Sequence, residues 1–278
     1  MSFRDKKRSG DLKGYLIMGL VVVLLSVVAA YFFINEGNRV KIDPNTFCPT
    51  EENERFGKTV ALLDLTDPLN KAQKEFFLKE IKELKDQIPK HHSLTIYTLD
   101  EDLDLNKSRK ITMCNPGTVE DIKSTYDKIS INPKEIKKKW VEGFSKQISD
   151  VVNNIMFENN TQNSSPVMEM FQLIAINEFK GFEGADNEII ILSDMIQNTT
   201  EMSMYQNGLS TFSKFKKSNY FSKVTTNLNN NVAIKLFIIK RDGSRAMQLD
   251  EDFTKFWFLY FYEGNNSKKN IERTFVDG

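Results

Sequence analysis

The chain has 278 residues, and its 38 Lys+Arg are matched by 38 Asp+Glu, so the formal net charge is zero. That balance excludes a general nucleic-acid binder, which needs a basic excess to neutralise phosphates. Setting aside an apolar stretch near the N-terminus and a polar C-terminal end, about 215 residues remain, enough for one domain with a single core, and 21 phenylalanines can fill it.

Gly14 to Ile34 holds no charged residue. A run of about 20 such residues spans about 30 Å as a helix, the thickness of a bilayer core. Tyr15 opens it and Tyr31, Phe32 and Phe33 close it, as interfacial aromatics do. A buried core helix would show a polar face, which this one lacks. A cleaved signal peptide would have a shorter apolar core and a small-x-small site, whereas Ala29-Ala30 runs straight into Tyr-Phe-Phe. The expectation is a basic tail (1–14), an uncleaved single-pass helix (15–34) and a linker (35–47) containing Gly37 and Pro44. Arg4, Lys6, Lys7, Arg8 and Lys13 precede the helix, against Arg39 and Lys41 after it. The positive-inside rule then keeps the N-terminus cytoplasmic and exports the rest, into the periplasm in a bacterium. Cys48 and Cys114 fit one disulfide in an exported domain. The other reading is two small buried hydrophobes that never meet.

The domain is expected over 48–263. Thr59-Val-Ala-Leu-Leu-Asp64 reads as a strand covered on both faces and ending in a carboxylate. Pro68 suits the first turn of a helix that carries Leu69, Phe76, Phe77, Ile81, Leu84 and Ile88 and ends near Pro89. Ser93–Leu99 alternates as a second strand, and an acidic turn leads to a third, Lys110–Cys114. So short a connection favours an antiparallel hairpin. Asn115-Pro116-Gly117 breaks the chain before a long helix with Ile136, Trp140, Phe144, Ile148, Val151 and Ile155 on one stripe. After a polar loop (159–165), Ser165 and Pro166 read as the cap and first position of a helix over Val167–Ala175. Glu188–Asp194 is another buried strand ending in a carboxylate. A helix over Met204–Lys217, a strand over Val232–Ile239 and a helix over Asp250–Tyr262 follow, and 264–278 reads as a frayed polar tail. Strands alternating with helices give a doubly wound, mostly parallel sheet with one antiparallel edge strand, where ligands bind outside the carboxyl ends of strands. Asp64, Thr66 and Asp194 lie at two such ends.

This order resembles the von Willebrand factor A (vWA) family. The family's metal-ion-dependent adhesion site combines Asp-x-Ser-x-Ser after the first strand, a Thr opening a later helix and an Asp after the fourth strand. Similar residues here are Asp64-Leu-Thr66-Asp67-Pro68, then Ser165 (or Ser164), then Asp194 in Leu-Ser-Asp-Met. The resemblance implies a Mg²⁺ site built from Asp64, Thr66, Ser165 and Asp194, with Asp67 as an added oxygen, since hard cations take oxygen ligands. Pro68 stands where the second serine belongs and cannot ligate. Capping is the bland role for each Asp or Ser at a helix start. Adjacent His91 and His92 point apart and read as loop residues. Phe256-Trp257-Phe258 reads as core, and Lys137–Lys139 as a solvated helix face.

Together with the apolar N-terminal helix, the resemblance implies a membrane-anchored module that binds a protein partner in an envelope complex; the charge balance argues against nucleic acid, and no small-molecule substrate is expected. One alternative is a metal-assisted hydrolase. A haloacid-dehalogenase-like phosphatase, however, wants Asp-x-Asp where this chain has Asp64-Leu-Thr66, and the chain carries no Walker loop, Gly-x-Ser-x-Gly or His-Glu-x-x-His. The other alternative is a structural subunit assembling through its anchor, where Ser26, Ala29 and Ala30 allow close helix approach.

Overall fold

The computed structural model describes residues 3–37, 39–50, 56–157, 162–182 and 186–277. Parts of the expected basic tail (1–2), linker (38), domain (51–55, 183–185) and polar loop (159–161) lie outside the described residues. The chain divides into two compact units: residues 1–41 with 122–132, and residues 42–121 with 133–278.

The first unit is built on one helix, Phe3–Gly37. Its stretch Gly14–Gly37 is 24 residues long and apolar enough to cross a membrane, with none of that surface buried. The helix therefore extends past both ends of the expected 15–34 segment. The short helix Thr125–Ser130 belongs with it. There the Tyr126 ring lies 5.3 Å from Phe32 and 6.2 Å from Tyr31, its hydroxyl donates to Glu36, and the Arg39 guanidinium sits 4.9 Å from the ring centroid. No local sequence pattern ties residues 122–132 to this apolar helix.

The second unit is a six-stranded sheet in the order β3-β2-β1-β4-β5-β6. The strands are β1 (Lys58–Leu63), β2 (Ser93–Thr98), β3 (Arg109–Cys114), β4 (Asn187–Ser193), β5 (Val232–Ile239) and β6 (Ile271–Val276). All neighbours are parallel except β2 and β3, which form the antiparallel edge. The period of two along each strand splits the core into two layers. Val60, Leu62, Ile189, Ile191, Ile234 and Leu236 face a cluster completed by Phe171, Phe253, Trp257 and Tyr260. Ala61, Leu63, Ile190, Leu192 and Phe237 face a second cluster completed by Phe77, Ile81, Phe144 and Ile148. Both faces are thus covered, which is why β1 and β4 read as unbroken apolar runs.

Several elements depart from expectation. The helix after β1 starts at Lys71 rather than near Pro68, because Asn70 and Gln73 form a reciprocal capping box. The expected helix over 204–217 is broken into Met204–Asn207 and Phe212–Phe215, followed by Asn219–Lys223. Gly208 at φ +65° ends the first piece, and Ser218 caps the last. The long helix over 133–157 forms, but with a wider π turn at Lys139–Ser145. Gly143 in that turn abuts the Phe47 ring so closely that a Cβ would stand 2.5 Å from it. The expected frayed tail instead supplies β6, paired with β5 from Ile271 to Val276. Cys48 and Cys114 are joined by a disulfide, closing a sequence separation of 66.

Candidate functional site

Strand order reverses between β1 and β4, since β2 follows on one side and β5 on the other. The connections leaving these two strands diverge, and by the general rule for such sheets the crevice lies at their carboxyl ends. Asp64 immediately follows β1 and Asp194 follows β4, and both are buried.

Asp64 is wrapped by hydroxyls. Its Oδ1 accepts from the Thr66 amide at 3.1 Å and the Thr66 hydroxyl at 2.7 Å. Its Oδ2 accepts from the Ser193 hydroxyl at 2.6 Å and the Ser165 hydroxyl at 3.3 Å. Four donors use the four lone-pair positions that a carboxylate offers. Ser165 therefore does not cap the helix Val167–Ile174, whose N-cap position is Pro166 with no side-chain bond. Instead the Met168 amide donates to Gln197 Oε1 at 3.0 Å, so a side chain from the loop after β4 serves that helix end. The same loop holds Ser165 by a two-way backbone bridge with Asn198, at 2.8 and 3.0 Å. Gln197 is fixed in turn, donating to Glu169 and the Tyr220 hydroxyl at 2.8 Å each.

Asp194 lies in different company. Its Oδ1 accepts from the Ile196 amide at 2.8 Å, and its Oδ2 faces Arg241 Nε at 3.4 Å. Arg241 stands just beyond β5 and also donates to the backbone oxygens of Pro68 at 2.7 Å and Asp67 at 3.3 Å. Gln248 braces this side: it accepts from the Arg241 amide and donates to the backbone oxygens of Asp194 and Ile239, all at 2.9 Å. Asp67 itself is exposed and caps no helix, since Asn70 takes that place. Tyr205 stands half exposed near these groups, and its partial burial together with the charges of Asp194 and Asp67 pushes its hydroxyl up to about 12.

Burial, reinforced by the charge of Asp64, raises the Asp194 carboxyl above the usual carboxylate range, against the pull of the Ile196 amide and Arg241 and with a smaller push from Asp67. An acid whose folded pKa is raised binds its proton more tightly in the native state, so its contribution to stability is lost over an interval that opens as pH rises above the ordinary carboxylate value of about 4. Urea midpoints of the wild type should therefore fall relative to those of Asp194→Asn across that interval. Curves that stay parallel would show that Asp194 titrates normally.

The residues singled out from sequence thus meet in one crevice, with Asp64, Thr66 and Ser165 in direct contact and Asp194 beside them. As a Mg²⁺ site the donor set fits poorly. Mg²⁺ asks for near-octahedral oxygens at about 2.0–2.1 Å. Here Pro68 replaces a hydroxyl ligand, both oxygens of Asp64 already accept two protein donors each, and Asp194 faces a guanidinium. Sequence reasoning missed Ser193, Gln197, Arg241 and Gln248. The strand-end rule that picked Asp64 and Asp194 would have found Arg241 had it been applied to β5, whereas the two glutamines carry no local signal.

No protein-family model matches the chain, and no curated protein matches it. Among solved structures it is similar to the VWA domain of SpRpn10, at 9% identity and TM-score 0.38 over 80% of this chain and 88% of that one. It is also similar to an aerotolerance-related membrane protein from Bacteroides fragilis carrying multiple mutations to serines, at 11% identity and TM-score 0.36 over 78% and 90%. A third is the conserved hypothetical protein BatB from Bacteroides thetaiotaomicron, at 12% identity and TM-score 0.33 over 78% and 90%. The strand order, with β3 antiparallel at the edge, is the doubly wound, mostly parallel α/β arrangement expected from the sequence.

Proposed function

We propose that the chain is a membrane-anchored interaction module that holds a protein partner on the rim of the β1/β4 crevice. The observation that carries this reading is the state of Asp64, whose two oxygens are taken up by four protein donors. A carboxylate so engaged serves as the knot of three loops rather than as a nucleophile or base, which needs a free lone pair within reach of substrate. What the knot presents outward is a set of exposed groups, Asp67 and Tyr205 among them. Tyrosine at such a rim offers both apolar area and a hydroxyl to a partner. The cation excess before the anchor supports a cytoplasmic N-terminus and an exported domain. The disulfide supports the same side, since such bonds persist in oxidising compartments.

The test compares full-length protein, extracted in mild detergent, with two charge variants. Asp67→Lys combined with Tyr205→Ala should lose the partners that wild type retains. Lys82→Glu, on the exposed face of the helix Lys71–Gln87, should keep them. Equal retention by all three would remove the rim from consideration.

A further inference from the structure

A guanidinium ties the loop after β4 to the loop after β1 at this site. A metal ion in a vWA-like crevice would do two physical jobs: it would offset buried negative charge, and it would draw oxygens from separate loops to one point. Arg241 does both. Its Nε faces Asp194 after β4, while its Nη atoms donate to Asp67 and Pro68 after β1. Its side chain is only 18% exposed, and its backbone is held by Gln248, which binds Asp194 and Ile239 in the same grip. The planar fork of arginine can reach oxygens in three directions at once, which a lysine ammonium on a flexible stem cannot reproduce. A metal brought to the same oxygens would meet a fixed positive charge that only partial water screening could offset.

We infer that Arg241 is the resident cation of this cradle and that the loops after β1, β4 and β5 keep their arrangement without a divalent metal. The inference concerns the crevice itself and does not rest on partner binding, so metal titration reads it with no partner present. Full-length protein in detergent would be titrated with Mn²⁺ followed by electron paramagnetic resonance. Its thermal unfolding would be recorded with millimolar Mg²⁺, with Mn²⁺ and with EDTA. The wild type should show no Mn²⁺ site that Asp194→Asn abolishes, and its unfolding temperature should be the same in all three conditions. Arg241→Gln should unfold several degrees lower, and Arg241→Lys should recover only part of the loss. Stoichiometric Mn²⁺ binding lost in Asp194→Asn, or an Arg241→Gln variant as stable as wild type, would overturn the inference. If Arg241→Gln does not fold, the dependence on Arg241 is borne out and the wild-type titration decides the metal question alone.

Discussion

Asp64→Ala is expected to destabilise the domain by about 3–5 kcal/mol, while Asp64→Asn costs about 1–2 kcal/mol. Alanine removes the acceptor from an amide and three hydroxyls, those of Thr66, Ser193 and Ser165, all in a buried place. Each polar group left without a partner there costs about 1–3 kcal/mol, and hydroxyl rotation recovers only some of it. Asparagine keeps one oxygen for Thr66 and turns its amide toward hydroxyls that can also accept. The loss should reach further than residue 64, because Ser165 sits on the segment that Asn198 and Gln197 hold from the loop after β4. Urea unfolding of the two variants beside wild type measures the difference. An alanine variant with the wild-type midpoint would show that the hydroxyl cluster contributes nothing, and the reading of Asp64 as a knot would go with it.

How much of this was legible depends on whether the signal is local. A carboxylate that ends an unbroken apolar run is a discontinuity anyone can see, so Asp64 and Asp194 were visible from the residues. Their meeting in one crevice follows from parallel pairing of β1 with β4. β6 was not legible, because an edge strand with exposed Glu272, Arg273 and Thr274 shows too little apolar alternation to differ from a tail. The broken helix after β4 was misread because Met204, Phe212 and Phe215 keep helical spacing while Gly208 in a left-handed conformation interrupts the backbone between them. The place of Ser165 was visible but its role was not: a serine before Pro166 reads as a cap, and only the remote Gln197 reveals that the cap is supplied from elsewhere. Tyr126 packing on Phe32 joins residues that are far apart in sequence, and no local pattern announces such a contact.

Loss of the Cys48–Cys114 bridge should cost about 4 kcal/mol, from the entropy of closing a loop across a separation of 66 residues in the unfolded chain. The native contacts around it work in the same direction. Thr46 receives the Cys114 amide at 2.9 Å, and the Phe47 ring lies buried against Gly143. The bridge therefore fastens the segment around Thr46 to Cys48 onto the end of β3. A reductant should lower the urea midpoint of the wild type by as much as the double substitution Cys48→Ser, Cys114→Ser does, and should leave the double variant unmoved. A wild type indifferent to reductant would mean that the packing of Phe47 alone holds the segment. The same pair reports on placement in the cell. Thiols in an exported domain should resist alkylation when cells are lysed directly into a blocking reagent, because oxidising compartments preserve such bonds and the cytosol reduces them. If both cysteines are alkylated without prior reduction, the domain faces the cytosol, and the orientation drawn from five cations before the anchor and two after it fails.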